Sequence, residues 1–186
     1  MIAGLVLLVP AMLAAAGCVG PTHRAGLRAP QFDLPRLRDT EFFGTADLQG
    51  KATVMVFWAA GCQPCAEQLQ LLERSWQRFQ GEGLVVLGIQ QGLLLEPDDP
   101  GFASANGVTF PNVRDTAGAV AASLGVTGVP ATYFLDTELR VRAVDQGEEV
   151  GVDKRRGLAI LSAITPDLLE RRIAELLALS SQPPTS

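Results

Sequence analysis

Cys62 and Cys65, in the string Gly61-Cys62-Gln63-Pro64-Cys65, are the residues of this sequence best placed to do chemistry. An apolar run, Thr53-Val54-Met55-Val56-Phe57-Trp58, precedes them. After them, apolar residues recur at Cys65, Leu69, Leu72, Trp76 and Phe79, which is one face of a 3.6-residue period. The pair therefore sits where a strand ends and a helix begins. A helix N-terminus offers free N–H groups and partial positive charge, which favour an anion. A cysteine there has its thiol pKa lowered from about 8.5 to roughly 3.5–7.5. The thiolate is the form that attacks disulfides. Pro64 suits the first helical turn, where a missing N–H costs little. Two intervening residues bring both sulfurs to one turn, so they can close a small disulfide.

Other uses of a Cys-x-x-Cys pair fit poorly. Structural zinc takes four ligands. The remaining Cys and His are Cys18 and His23, both near the N-terminus, so no metal site is expected. Haem attachment needs His after the second cysteine, and Ala66 stands there. A purely structural bridge across so short a loop would stabilise little.

Around the pair the pattern alternates between strand and helix. Thr53–Trp58 and Leu84–Ile89 are continuous apolar runs, as in strands covered on both faces. The helix 64–80 joins them into a right-handed, parallel βαβ unit. Further helices are expected over 97–106 and 117–124, the second stopped by Gly125. Segments 131–135 and 139–144 read as an antiparallel hairpin. Thr165-Pro166-Asp167 should cap a last helix with Leu169, Ile173, Leu176 and Leu177 on one face. The expected class is α/β, a central mixed sheet with helices on both faces. Residues 144–163 read as a charged, solvated excursion that ends in a strand over 158–163.

The chain has 186 residues, 47% hydrophobic, enough for one domain with a proper core. Its net charge of −5 does not suit nucleic acid. The run Ile2–Ala16 is apolar and leads into Ala15-Ala16-Gly17-Cys18. Small residues before a cysteine resemble a lipoprotein signal, with cleavage before Cys18 and lipid on it. An uncleaved anchor is the alternative, but the run is shorter than the ~20 residues that span a bilayer. The expected layout is a signal over 1–17, a tether over 18–28, a domain over 29–179 and a disordered tail over 180–186. The domain is expected outside the cytoplasm, held to a membrane.

Three motifs carry a resemblance to a known family. The first is Ala29-Pro30-Gln31-Phe32-Asp33-Leu34, followed by Leu48-Gln49-Gly50-Lys51. The second is Val56-Phe57-Trp58-Ala59-Ala60-Gly61-Cys62-Gln63-Pro64-Cys65. The third is Phe110-Pro111, then Asp115, then Gly125-Val126-Thr127-Gly128-Val129-Pro130-Ala131-Thr132-Tyr133-Phe134-Leu135-Asp136. In this order they resemble the TlpA/ResA-type membrane-anchored thiol-disulfide oxidoreductases of the thioredoxin-like superfamily, which include cytochrome c maturation thioredoxins. The resemblance implies a three-layer thioredoxin-like fold and a cis bond before Pro130. It implies that the Val129 backbone binds an extended substrate. It also implies a redox disulfide, Cys62–Cys65, in place of any cofactor. Implied partners are exported protein disulfides, apocytochrome c among them, and a membrane thiol electron donor. Gly61 stands where the wider pattern has Trp. Gln68 and Gln70 stand where family members often carry Glu and Pro. Gln68 can hydrogen-bond but not titrate, so Glu67, one residue earlier, is a second candidate for tuning the thiols.

Other readings use the same fold. A peroxiredoxin needs Thr or Ser three residues before its cysteine and Pro four before that, and Ala59 and Met55 stand there. A copper chaperone needs a distant His, and no His follows His23. A redox-inactive interaction module would keep the disulfide idle.

Overall fold

A computed structural model describes residues 26–92, 101–154 and 158–181. The elements begin with β1 (Asp33–Pro35), β2 (Phe42–Gly44), α1 (Thr45–Leu48), β3 (Ala52–Trp58) and α2 (Gln63–Phe79). Next come β4 (Leu84–Gln91), α3 (Gly101–Ala105), β5 (Asn112–Asp115) and α4 (Ala119–Leu124). The chain continues through β6 (Gly128–Val129), β7 (Ala131–Leu135), β8 (Val141–Gln146), β9 (Glu149–Asp153), β10 (Leu158–Leu161) and α5 (Pro166–Ser180).

The main sheet has the order β5-β4-β3-β7-β8. Strands β3, β4 and β5 run parallel, while β7 and β8 are antiparallel additions. Every residue of β3 is buried, as its unbroken apolar run requires of a strand covered on both faces. Helices α2, α3 and α5 share one face. Trp58 stacks on Phe102 of α3, and Gln70 of α2 donates to Asn106 just past α3. Arg78 of α2 lies 3.7 Å from Glu170 of α5. Helix α4 covers the other face, where the Tyr133 hydroxyl donates to the Leu124 carbonyl and the Tyr133 ring meets Phe57 edge-on. Trp58, Tyr133, Phe57, Phe110 and Met55 are among the largest side chains of this core. Full burial of an apolar side chain of this size contributes roughly 1.5–3 kcal/mol.

Element boundaries shift from expectation for local reasons. Helix α4 starts at Ala119 because Gly118 has φ 67°, outside the helical region. Thr165 takes the N-cap position of α5, but its side chain makes no capping hydrogen bond; Pro166 opens the helix. Residues 26–28, expected in the tether, are bound to the sheet. Gly26 N–H donates to the Val141 carbonyl, Val141 N–H to Leu27, and Ala29 N–H to Leu139. Ser180 ends α5, although the tail was expected to begin there. The expected signal, Cys18, residues 97–100 of the expected helix and residues 182–186 of the tail lie outside the described residues. No helix among the described residues is long and apolar enough to cross a membrane.

The largest departure is at Glu149–Asp153. The strand expected over 158–163 is present as β10, but the stretch before it holds a strand, β9, in place of a solvated loop; β9 pairs antiparallel with β10, and β10 pairs in parallel with β6 to make a second sheet.

Glu73 ties α2 to the turn before β5. It accepts from the Thr109 N–H at 2.8 Å, the Thr109 hydroxyl at 2.5 Å and Gln77 Nε2 at 2.8 Å. Burial alone would raise its pKa, but these bonds and the Phe110 N–H outweigh burial and hold the carboxyl below its ordinary value. A lowered folded-state pKa adds stability above the unfolded value of about 4.3, and that stability fades as pH falls through the folded value. Glu73→Gln is therefore expected to cost about 1 kcal/mol at neutral pH, since the site is partly screened by water. The difference from wild type should shrink below about pH 4. Urea unfolding at both pH values measures this, and a difference that grew in acid would contradict it.

Candidate active site

The site lies at the C-terminal end of β3. After Trp58 the chain turns through Gly61, whose φ of 74° is one that side chains rarely adopt. Cys62 then takes the N-cap position of α2, with extended backbone at φ −91° and ψ 110°. Its Sγ accepts the Cys65 N–H at 3.2 Å, so sulfur does the work usually left to a Ser or Asp oxygen. Pro64 lies in the first turn. Cys62 and Cys65 are joined in a disulfide with Cα atoms 5.2 Å apart. Cys62 is 5% exposed and Cys65 wholly buried, so Cys62 is the sulfur nearer solvent.

The bond between Val129 and Pro130 is cis. Phe57 pairs with Ala131, which sets Pro130 level with Trp58, at the end of the sheet where the chain enters the cysteine pair. The approach to Pro130 is pinned by Gln146 at the end of β8. Gln146 Oε1 accepts from both the N–H and the hydroxyl of Thr127, and its Nε2 donates to the Tyr133 hydroxyl at 3.1 Å. Sequence reading placed Gln146 in a solvated stretch. In the structure Gln146 stands opposite Ala131 because the β7–β8 pairing shifts register between Phe134 and Leu135, which the expected hairpin does not reveal.

The two tuning candidates part company. Glu67 is exposed on the helix surface, and its carboxylate accepts from Gln63 Nε2 at 3.3 Å. Gln68 is 1% exposed, and its Oε1 accepts the Ile164 N–H at 2.8 Å. Gln68 thus fastens the segment after β10 to the helix that carries the cysteines. At Val129 the structure shows a strand pairing the sequence reading did not include. The resemblance offers its backbone to an incoming strand, yet β10 is already paired there.

Below the site, Trp58 Nε1 donates to Asn112 Oδ1 at 3.0 Å, and Asn112 Nδ2 donates to the Phe110 carbonyl at 2.9 Å. This buried bridge fixes the end of β3 against β5. Ala59 is buried and carries no hydroxyl, so the Thr or Ser of a peroxidatic site is missing. Among the described residues no group of three or more His, Cys, Asp or Glu is placed to hold a metal ion.

Sulfur held in this way exchanges with other disulfides, and the mixed sheet that holds it has the thioredoxin-like plan; the class is thiol-disulfide oxidoreductase. Comparison with known proteins gives the same answer. The AhpC/TSA family model matches residues 25–144, and the chain belongs to that family. Thiol-disulfide oxidoreductase ResA of Geobacillus thermodenitrificans is 30% identical over 135 residues, covering 72% of this chain and 75% of that protein. Thiol:disulfide interchange protein DsbE of Pseudomonas fluorescens biotype C is 29% identical over 127 residues, 66% of each chain. The crystal structure of a secreted Mycobacterium tuberculosis disulfide oxidoreductase homologous to E. coli DsbE matches with TM-score 0.62 at 24% identity. It covers 78% of this chain and 96% of that one, and it speaks for the fold.

Proposed function

We propose that this protein is an exported, membrane-tethered reductase of protein disulfides, with Cys62 as attacking thiol and Cys65 as resolving thiol. The observation that carries the reading is the Cys62 sulfur at the N-cap of α2, accepting the Cys65 N–H. In the reduced protein that N–H and the helix N-terminus stabilise a Cys62 thiolate. The thiolate attacks one sulfur of a substrate disulfide. The substrate S–S bond breaks, the leaving thiolate takes a proton, and a mixed disulfide remains. Cys65 then loses its proton and attacks the Cys62 sulfur. This frees the second substrate thiol and leaves the Cys62–Cys65 disulfide, the state of this structure. Two electrons and two protons pass to the substrate, and a membrane dithiol donor restores them. Direction follows from the potentials of donor and acceptor.

Cys18 would carry the lipid anchor, and the preferred substrate would be the cysteine pair of an apocytochrome c. Both follow from the N-terminal sequence and the family resemblance. A deletion strain should lose holocytochrome c and regain it when an external thiol is supplied. Re-expressed Cys18→Ser protein should leave the membrane fraction. Normal c-type cytochromes alongside over-oxidised exported proteins would point instead to a general exported reductase. A Cys18→Ser protein that stayed in the membrane fraction would refute the lipid anchor.

A further inference from the structure

An extended polypeptide approaching Cys62 meets β6, because β6 lies at the sheet end that holds the cysteine pair. A free strand edge there would recruit such a chain through backbone hydrogen bonds. In this protein the edge is taken. β10 runs parallel to β6, with Ala159 beside Gly128 and Ile160 beside Val129. A parallel pair in this register can be bonded in two ways. One of them needs an N–H on Pro130, which proline lacks. The pairing therefore runs through Val129. Its N–H donates to the Ala159 carbonyl, and its carbonyl accepts the Leu161 N–H. The fit is close: a Cβ on Gly128 would come within 2.6 Å of the Ala159 oxygen, so glycine is what lets β10 in.

The hairpin is fastened at its base and open at its rim. Ser162 N–H donates to the Glu148 carbonyl at 2.8 Å, and Glu148 N–H donates to Ser162 Oγ at 3.1 Å. Gln68 accepts the Ile164 N–H from within the redox helix. The outer strand, by contrast, leaves Val150 61% and Val152 53% exposed. We propose that β10 is a built-in occupant of the strand position beside the cysteine pair, and that it sets substrate class. Small or compact disulfides react without needing that edge. An extended polypeptide must displace β10 before its own backbone can pair with Val129. This rests on the disulfide exchange by Cys62 and Cys65 given above.

The test uses reduced protein in single turnovers with two probes: oxidised glutathione, and an unstructured peptide closed by one disulfide. One variant excises residues 148–161 and joins Gly147 to Ser162 through a Gly-Ser turn, which the bonding of Glu148 to Ser162 makes short to close. A second, Ala159→Pro, keeps chain length but puts a proline at the centre of β10. Both should raise the peptide rate constant roughly tenfold and hold the glutathione rate within about twofold. Unchanged peptide rates in both variants would overturn the proposal. A fall with peptide alone would make the hairpin a docking surface, and a fall with both probes would make it a support for the cysteine pair; either result overturns it. Wild-type protein inert to both probes would instead refute the exchange reading itself.

Discussion

Cys65→Ser protein is expected to accumulate mixed disulfides through Cys62, whereas Cys62→Ser should trap few and lose reductase activity to background. The asymmetry follows from position. Cys62 is the N-cap and the sulfur nearer solvent; Cys65 lies in the first turn with no exposure. A substrate sulfur can reach Cys62 first. Once the mixed disulfide forms, Cys65 is already within bonding reach, since these two residues close a bond in the structure. Removing Cys65 thus stops resolution and leaves capture intact. Removing Cys62 also removes the sulfur that accepts the Cys65 N–H, so the remaining thiol is buried and loses its path to substrate. Non-reducing gels after acid quenching, followed by mass spectrometry of the trapped partner, read the result. Equal trapping by the two variants would show that position does not assign the roles.

Gly88→Ala should be among the most damaging single-methyl additions to this chain. A Cβ at residue 88 would lie 1.8 Å from Asn112 Oδ1 and 3.0 Å from Trp58 Nε1. Alanine must therefore push Asn112 away and break both bonds of the bridge. That leaves the buried indole N–H unpaired, at roughly 1–3 kcal/mol. Overpacking adds roughly 1–3 kcal/mol. A total near 4 kcal/mol corresponds to a Tm lower by roughly 10 °C at this chain length. Adding Asn112→Ala should relieve the clash without restoring the bond, so the double variant should be no worse than Gly88→Ala alone. A Gly88→Ala protein within about 1 kcal/mol of wild type would mean that the bridge does not hold this end of the sheet.

The parts of the site legible in the sequence were those written locally. Cys62 and Cys65 stand between an unbroken apolar run and a 3.6-residue period, and the structure places a strand, a turn and a helix there. The cis bond before Pro130 came from the resemblance, since no periodicity encodes it. What stayed hidden was bonding over long sequence separation. Gln68 meets Ile164 across 96 positions, and Trp58 meets Asn112 across 54. The hairpin β9–β10 was obscured by its own composition. Glu148, Glu149, Asp153, Lys154 and their neighbours read as solvated, while the strand that matters, β10, pairs with a segment 31 residues back, Gly128–Val129. Gly88 was visible in principle, because a lone glycine inside an apolar strand often marks a close approach by another group.

The pairing of residues 26–29 with the turn into β8 fixes a polarity for the whole molecule. Leu139 and Val141 lie by the Leu135 end of β7, the pole opposite Ala131 and the cysteine pair. The chain at Gly26, the first described residue, is thus clamped at the far pole. A pull applied there would load the edge strand β8 before it reached the helix that carries the sulfurs. Under the anchoring proposed for Cys18, the disulfide therefore occupies the pole remote from the point of attachment.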